Sequence, residues 1–416
     1  MGASLFDATL VAGLGARAVL AVTIGTVDVE CLLVLPLGMV TLSQAFAAQL
    51  DHDDRGEASR YGWYALGIAL VFGLAAMGVA PAGRALIEQL GYDPQTRALL
   101  ATYVGIRVFG IAPFLAGEGL SAWFAGRGNT AIGMWASLVA LLTHVGVSVL
   151  LVWGHLGFPA LGVAGAAWGH VLGSTAGLVV LLVPFVVRSG LPARVSRREI
   201  GDLVRLGVPA GVDQLMEFAG FLILANVILA RFDPLSSTAV MVVLQLDEVF
   251  VTPVVGIAVA AGVRAGHLMG GRRHRRVPGL LWRALRWALA WQALVAFVFL
   301  VAAAPLVGAF GGADRAELVA VGVPLLMASV AWRGVDALAV VTAEILKAAG
   351  DTKALMAIRV ACVLGVLVPA AEVGARLLGG LGVVAGLTLY LSVLSVATWL
   401  RMQSGQWRSL TITTLH

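Results

Sequence analysis

Residues 126–130 read GRGNT, and residues 348–352 read AAGDT. Each run follows an apolar stretch and opens another. About 220 residues separate the two. Further along, FPALGVAGAAWG (158–169) is answered by GGLGVVAGLTLY (379–390) at a similar offset. A weaker pair is LPLGMVTLSQAFAAQL (35–50) and FVTPVVGIAVAAGVRAGHL (250–268). Each member has a proline, a glycine two or three positions on, small residues, and then a polar stretch with arginine. These pairs mark an internal duplication. Both copies run in the same direction and return to the same side. That predicts parallel repeats, related by an axis along a membrane normal.

The sequence around these pairs is apolar. Of 416 residues, 60% are hydrophobic and 12% charged, with mean hydropathy +0.94. Soluble domains run about 45–50% apolar and about 25% charged. The composition excludes a soluble enzyme, a disordered tail protein and a nucleic-acid-binding module. It predicts a polytopic membrane protein, and 51 glycines fit close-packed membrane helices. The net charge of +5 then reports basic loops rather than nucleic-acid contacts. Cys31 and Cys362 lie in apolar runs and predict no disulfide framework. The first residues show neither a basic n-region nor a small-residue cleavage site, so no cleavable signal peptide is expected.

A spanning helix needs about 20 apolar residues. Eleven candidates read at 17–49, 61–83, 96–125, 130–153, 160–187, 200–230, 236–268, 279–309, 316–347, 354–376 and 381–401. A short apolar stub, 3–14, precedes them. One set of alternate loops holds 15 basic residues, among them Arg127, Arg194, Arg272 and Arg401, and the other holds six. The richer side is expected to be cytoplasmic, with the C-terminus on it. The run RSGLPARVSRREI (188–200) is the one sizeable polar linker. The expected organisation is an all-α polytopic protein of two pseudo-symmetric six-helix bundles. The first bundle covers 1–190, the linker 191–199, and the second bundle with a short tail 200–416. The first repeat has five complete helices plus the stub, so the first helix is expected to lack its beginning.

The ordered set of motifs resembles the multidrug and toxic compound extrusion (MATE) transporters. The residues that carry the likeness are the Gly-Asn/Asp-Thr turns, the PALGVAGAA stretch and LVRLGVPAGVDQLMEFAGF (203–221). It covers nearly the whole chain. It implies two facing bundles with a central cavity that opens alternately to either side. It further implies export of organic cations driven by protons or sodium, from a multi-pass position in the cytoplasmic membrane, by a monomer. The partners expected are a small-molecule substrate and the lipid bilayer, without nucleic acid. No cofactor is expected beyond the coupling ion, H+ or Na+.

The resemblance also carries individual residues. In FDATLVAGLG (6–15), Asp7 matches the carboxylate of the family's first helix. Where the family often has Asn and Asp four residues apart, LLTHVGVSV places His144 and Ser148. That departs from the pattern, although histidine carries protons near neutral pH. Glu217 in QLMEFAGF and Asp336 in RGVDALAVV match the family's second-half acids. These two lead as the coupling site, whether for a proton or for sodium.

An ionised carboxylate at the bilayer centre costs about 2.5–3.5 kcal/mol on insertion scales. Glu217 and Asp336 must therefore be protonated, cation-bound, watered or paired, for instance with Arg333. Sodium, as a hard cation, would need several oxygens, some from Asn226 or the backbone. Asp213 lies one turn before Glu217 on the same face. Asp28, Glu30, Glu118, Asp247 and Glu248 are further cavity-lining candidates, with Arg107 a partner for some of them. His144 and His170 read equally as hydrogen-bonding core residues. The sequence holds no HExxH, P-loop, GxSxG or CxxC. Three readings stay open: a cation-coupled exporter, a lipid-linked precursor flippase of similar fold, and a membrane-embedded enzyme or receptor. Mostly acidic intramembrane charge places the flippase second.

Overall fold

The computed structural model describes residues 2–50, 55–89, 91–190, 195–312, 315–410 and 412, with the side chains of 2–5, 55 and 56 excepted. Among the described residues every regular element is helical. The chain runs as α1 (Gly2–Val11), α2 (Ala16–Gln49), α3 (Glu57–Gln89), α4 (Pro94–Gly126), α5 (Thr130–Trp153) and α6 (Val163–Ser189). It continues as α7 (Arg197–Arg231), α8 (Pro234–Gly270), α9 (His274–Val301) and α10 (Arg315–Ala348). The last long run, Thr352–Gln403, has 52 residues. At about 1.5 Å per residue it would be more than twice as long as the roughly 30 Å hydrocarbon core. Gly379, at φ 59° and ψ −135°, breaks it into α11 (352–378) and α12 (380–403). Among the described residues eleven helices are thus long enough to span, as expected, and α1 is a ten-residue helix before them.

The helices group into two compact units, residues 1–211 and 212–416. Of the linker expected at 191–199, residues 191–194, with Arg194, lie outside the described residues. From Arg197 the chain is already helical. Glu199, in the first turn of α7, is fixed to α3. Arg60 Nε and Nη2 donate to its two oxygens at 3.0 and 2.8 Å, and the Tyr64 hydroxyl donates at 2.6 Å.

The duplication is visible in the backbone. α4 and α10 are each interrupted by one tight 3-10 turn, Val108–Gly110 and Val330–Trp332. Both helices end in the same cap. The amide of Asn129 donates to Phe124 O at 2.9 Å, and that of Asp351 donates to Leu346 O at 3.0 Å. This six-to-one bond needs a left-handed residue inside it. Gly128 (φ 76°) and Gly350 (φ 83°) provide one each. Gly162, before α6, sits at φ 55° and ψ −128°, nearly the conformation of Gly379 before α12. An L side chain is strained in that region. The paired glycines of the sequence are therefore repeated backbone turns.

In those turns Asn129 and Asp351 occupy the N-cap positions of the following helices, where such side chains commonly cap. Neither side chain caps. Asp351 instead accepts two hydrogen bonds from Arg401 of α12, at 2.6 and 3.0 Å. A bidentate charged bond is stronger than one neutral cap. Pro36, Pro209, Pro253 and Pro324 sit inside otherwise helical segments. The departures toward wider winding lie elsewhere, at Leu224–Ile228 in α7 and Val363–Leu367 in α11.

Packing follows the inverted economy of a membrane protein. Large apolar side chains such as Leu142, Val187, Trp287, Phe297 and Leu377 remain exposed on the helices, because lipid rather than water meets them. Inside, Leu120, Phe124 and Phe185 pack one core in the first unit. Phe299, Leu326 and Trp332 pack another in the second. Cys31 and Cys362 are both free, as expected.

Candidate functional site

In the second unit, α7 presents Asp213 and Glu217 one turn apart. Arg359 of α11 reaches both. Its Nε donates to Asp213 Oδ1 at 3.2 Å, and its Nη2 lies 3.3 Å from Glu217 Oε2. Its Nη1 donates to the Tyr390 hydroxyl of α12 at 3.2 Å. Asp213 and Arg359 are largely buried, whereas the Glu217 side chain is 62% exposed. A cavity of about 170 Å³ joins these groups. Asp336 lines it from the first turn of the α10 segment that follows the 3-10 interruption. Most of the remaining lining is apolar, including Phe221, Leu244, Val340 and Leu391. Among the described residues, no hydrogen bond or ion pair closes on Asp336.

Arg333, the sequence's choice of partner for Asp336, is engaged elsewhere. Its Nη1 lies 2.8 Å from Asp247 Oδ1, and its guanidinium covers the Phe299 ring at 4.3 Å. Trp332 Nε1 donates to the same Asp247 oxygen at 3.0 Å. Asp247 is therefore a structural partner for the α10 interruption. Glu248, on the next position of α8, is exposed.

In the first unit, His144 Nε2 of α5 lies 2.8 Å from Asp7 Oδ1 of α1. Both side chains are almost fully buried, at 5% and 2% exposure. The His170 ring of α6 stands edge-on to His144, 5.3 Å between centroids. His144 and His170 line a cavity of about 230 Å³ with Glu118, Ser121, Ser137 and Ser174. Arg107 is buried against the Tyr103 ring at 5.8 Å and pairs with neither Asp28 nor Glu30. Asp28 is exposed and Glu30 half-buried.

The structure thus gathers Asp213, Glu217 and Asp336 on one cavity, and His144 with Glu118 on another. Asp7 meets His144 but does not line that second cavity. Asn226 is exposed, and its amide donates to Leu222 O at 3.1 Å. It does not line the Asp336 cavity. For the sodium expected at Glu217 and Asp336, the Arg359 guanidinium already supplies a cation to Asp213 and Glu217. The sequence reading missed Arg359, Tyr390 and the place of His170. Arg359 had a signal, being a lone charge a few residues into an apolar span.

Membrane-length helices in two repeated units, each with at least one carboxylate lining a small cavity, define a polytopic transport protein rather than an enzyme. The MatE family model matches residues 1–150 and 209–372, and the chain belongs to that family. It is 24% identical over 358 residues to the "Probable multidrug resistance protein NorM" of Rhizobium meliloti (strain 1021), covering 83% of this chain and 76% of the relative. It is 25% identical over 366 residues to the NorM protein of the same description from Xanthomonas campestris pv. campestris, covering 82% and 76%. The fold is shared with the crystal structure of the Vibrio cholerae MATE transporter VcmN in the bent form. There the TM-score is 0.87 at 18% identity, over 98% of this chain and 93% of that one.

Proposed function

We propose that this chain is a secondary active exporter of small amphipathic organic cations, exchanging each for a coupling ion by alternating access. It acts in the cytoplasmic membrane as a monomer, with its C-terminus in the cytoplasm. The observation that carries the reading is the Asp213–Glu217–Arg359 cluster facing Asp336 across one largely apolar cavity. Three carboxylates against one guanidinium leave an excess of negative charge there. A cationic amphipathic molecule satisfies that charge with its head and the apolar lining with its body. A coupling ion that neutralises Asp336 halves that excess and weakens the attraction. Substrate and ion then exclude one another, and the mutual exclusion links their fluxes as an antiport.

Arg359 supports a proton over sodium. A hard cation needs several oxygens at once, and two of the nearest carboxylates already face the guanidinium. A proton needs only Asp336. The acidic excess also sets this cavity apart from the strongly cationic one that a pyrophosphate-linked lipid precursor would require.

The test is efflux of a fluorescent organic cation from proteoliposomes under an imposed proton gradient and, separately, a sodium gradient. The parent is expected to respond to the proton gradient, and Asp336→Asn to lose the response. Gradient-driven efflux that survives in Asp336→Asn would sink the coupling role. A response to sodium alone would overturn the choice of ion.

A further inference from the structure

We infer that Asp7, His144 and His170 form a binding site for a late first-row divalent metal ion of the zinc class. One ligand atom from each of the three lies within 4.8 Å of the others. They come from three helices, α1, α5 and α6. Two imidazoles and a carboxylate are a donor set that suits Zn2+, Co2+ or Ni2+ far better than the hard ions Na+ and Mg2+. Around tetrahedral zinc, donors at about 2.0–2.1 Å from the metal stand roughly 3.3 Å apart. The pair of Asp7 Oδ1 and His144 Nε2 is already at 2.8 Å. A modest rotation of the His170 ring closes the third side.

The backbone prepares the site. A Cβ on Gly173 would stand 2.8 Å from His144 Cβ, and one on Gly169 would meet Ser148 Oγ. Only glycine lets α6 lie this close to α5, which brings His170 beside His144. The Ser148 hydroxyl is buried without a hydrogen-bond partner, and a metal-bound water in the open fourth position would give it one. Charged neighbours bear on the site. Glu118 lines the same cavity and favours a cation, while Arg107 acts electrostatically on His170 and opposes it. Bound metal would replace the Asp7–His144 hydrogen bond and tie α1 to α5 and α6.

The inference does not depend on transport, and its test uses neither substrate nor gradient. Tag-free, chelator-treated protein in detergent is titrated with Zn2+ against a fluorescent zinc chelator, with thermal unfolding followed in parallel. One Zn2+ per chain is expected, with a raised unfolding temperature and no displacement by excess Na+ or Mg2+. His170→Phe and Asp7→Asn are each expected to weaken binding at least about tenfold. Among the described residues, the His170 ring makes aromatic contacts with His144 and Phe114, which phenylalanine preserves. If Asp7→Asn fails to fold, His170→Phe decides alone. The inference is overturned if the parent takes up no stoichiometric zinc, or if a folded variant keeps parental affinity.

Discussion

Arg359 Nε stands 3.2 Å from Asp213 Oδ1, an ion pair that joins α11 to α7 at low exposure on both sides. Removing one partner of a buried pair strands the other charge, at a cost of about 3–5 kcal/mol. Arg359→Gln is expected to lose stability on that scale. Replacing both partners, as Arg359→Met with Asp213→Leu, should restore most of it while leaving transport abolished. Thermal or denaturant unfolding in detergent reads the first effect, and vesicle efflux the second. A double variant no more stable than Arg359→Gln would show that the pair is not the stabilising unit.

Glu217 meets the same guanidinium, but its side chain is 62% exposed. Water screens that pair, and exposed pairs contribute about 0–1 kcal/mol. Glu217→Gln should therefore unfold within about 1 kcal/mol of the parent. Efflux of the organic cation should nonetheless fall to the level of empty vesicles. Loss of stability together with loss of efflux would reassign Glu217 to a structural role.

The contrast between these two acids shows what the sequence could disclose. Spacing alone put Asp213 and Glu217 on one face, since four residues are about one helical turn. It could not name Arg359, because their meeting depends on how α11 lies against α7, some 140 residues on. The same limit assigned Arg333 to Asp336 on local spacing, whereas tertiary packing gave it to Asp247. The repeated turns were legible for the opposite reason. Gly128, Gly162, Gly350 and Gly379 hold conformations that strain other residues, so the backbone requirement is written as a residue type. Most span limits were legible within a few residues because the bilayer imposes length and apolarity, but the helix expected to end at 83 runs to Gln89 and the one expected to end at 309 stops at Val301. The break at Gly379, inside a continuous apolar stretch, was marked by the second copy of the glycine pattern.

α11 and α12 meet through glycines, and here the structure allows a sharp contrast. A Cβ added to Gly382 would stand 1.8 Å from Gly374 O, a backbone atom with no freedom to swing aside. One added to Gly365 meets nothing within 4 Å. Gly382→Ala is expected to force the helices apart and remove the folded peak from size-exclusion chromatography. Gly365→Ala should elute as the parent does, because overpacking strain arises only where neighbours cannot yield. Equal recovery of the two variants would contradict the close approach.

Two aspartates start helices outside the spans, and they predict a pH dependence. Asp93 accepts a hydrogen bond from the Thr96 hydroxyl at 2.5 Å, besides the amides of Thr96 and Gln95. Asp233 is bonded by Ser236, whose amide donates at 2.9 Å. These bonds, led by the Thr96 and Ser236 side chains, hold both carboxyls below their usual value. A lowered folded value means that the stabilisation is present above the free carboxyl's pKa of about 3.9 and is lost as pH falls through the folded one. Asparagine can still cap but carries no charge toward the helix start. Asp93→Asn with Asp233→Asn should therefore melt below the parent at pH 6. The gap should close as pH drops from about 5 toward 3, since protonation makes the parent's caps neutral too. The other carboxylates titrate in both proteins, so the difference between the two melting curves isolates these caps. A constant gap across that range would show that charge at these two positions does not contribute.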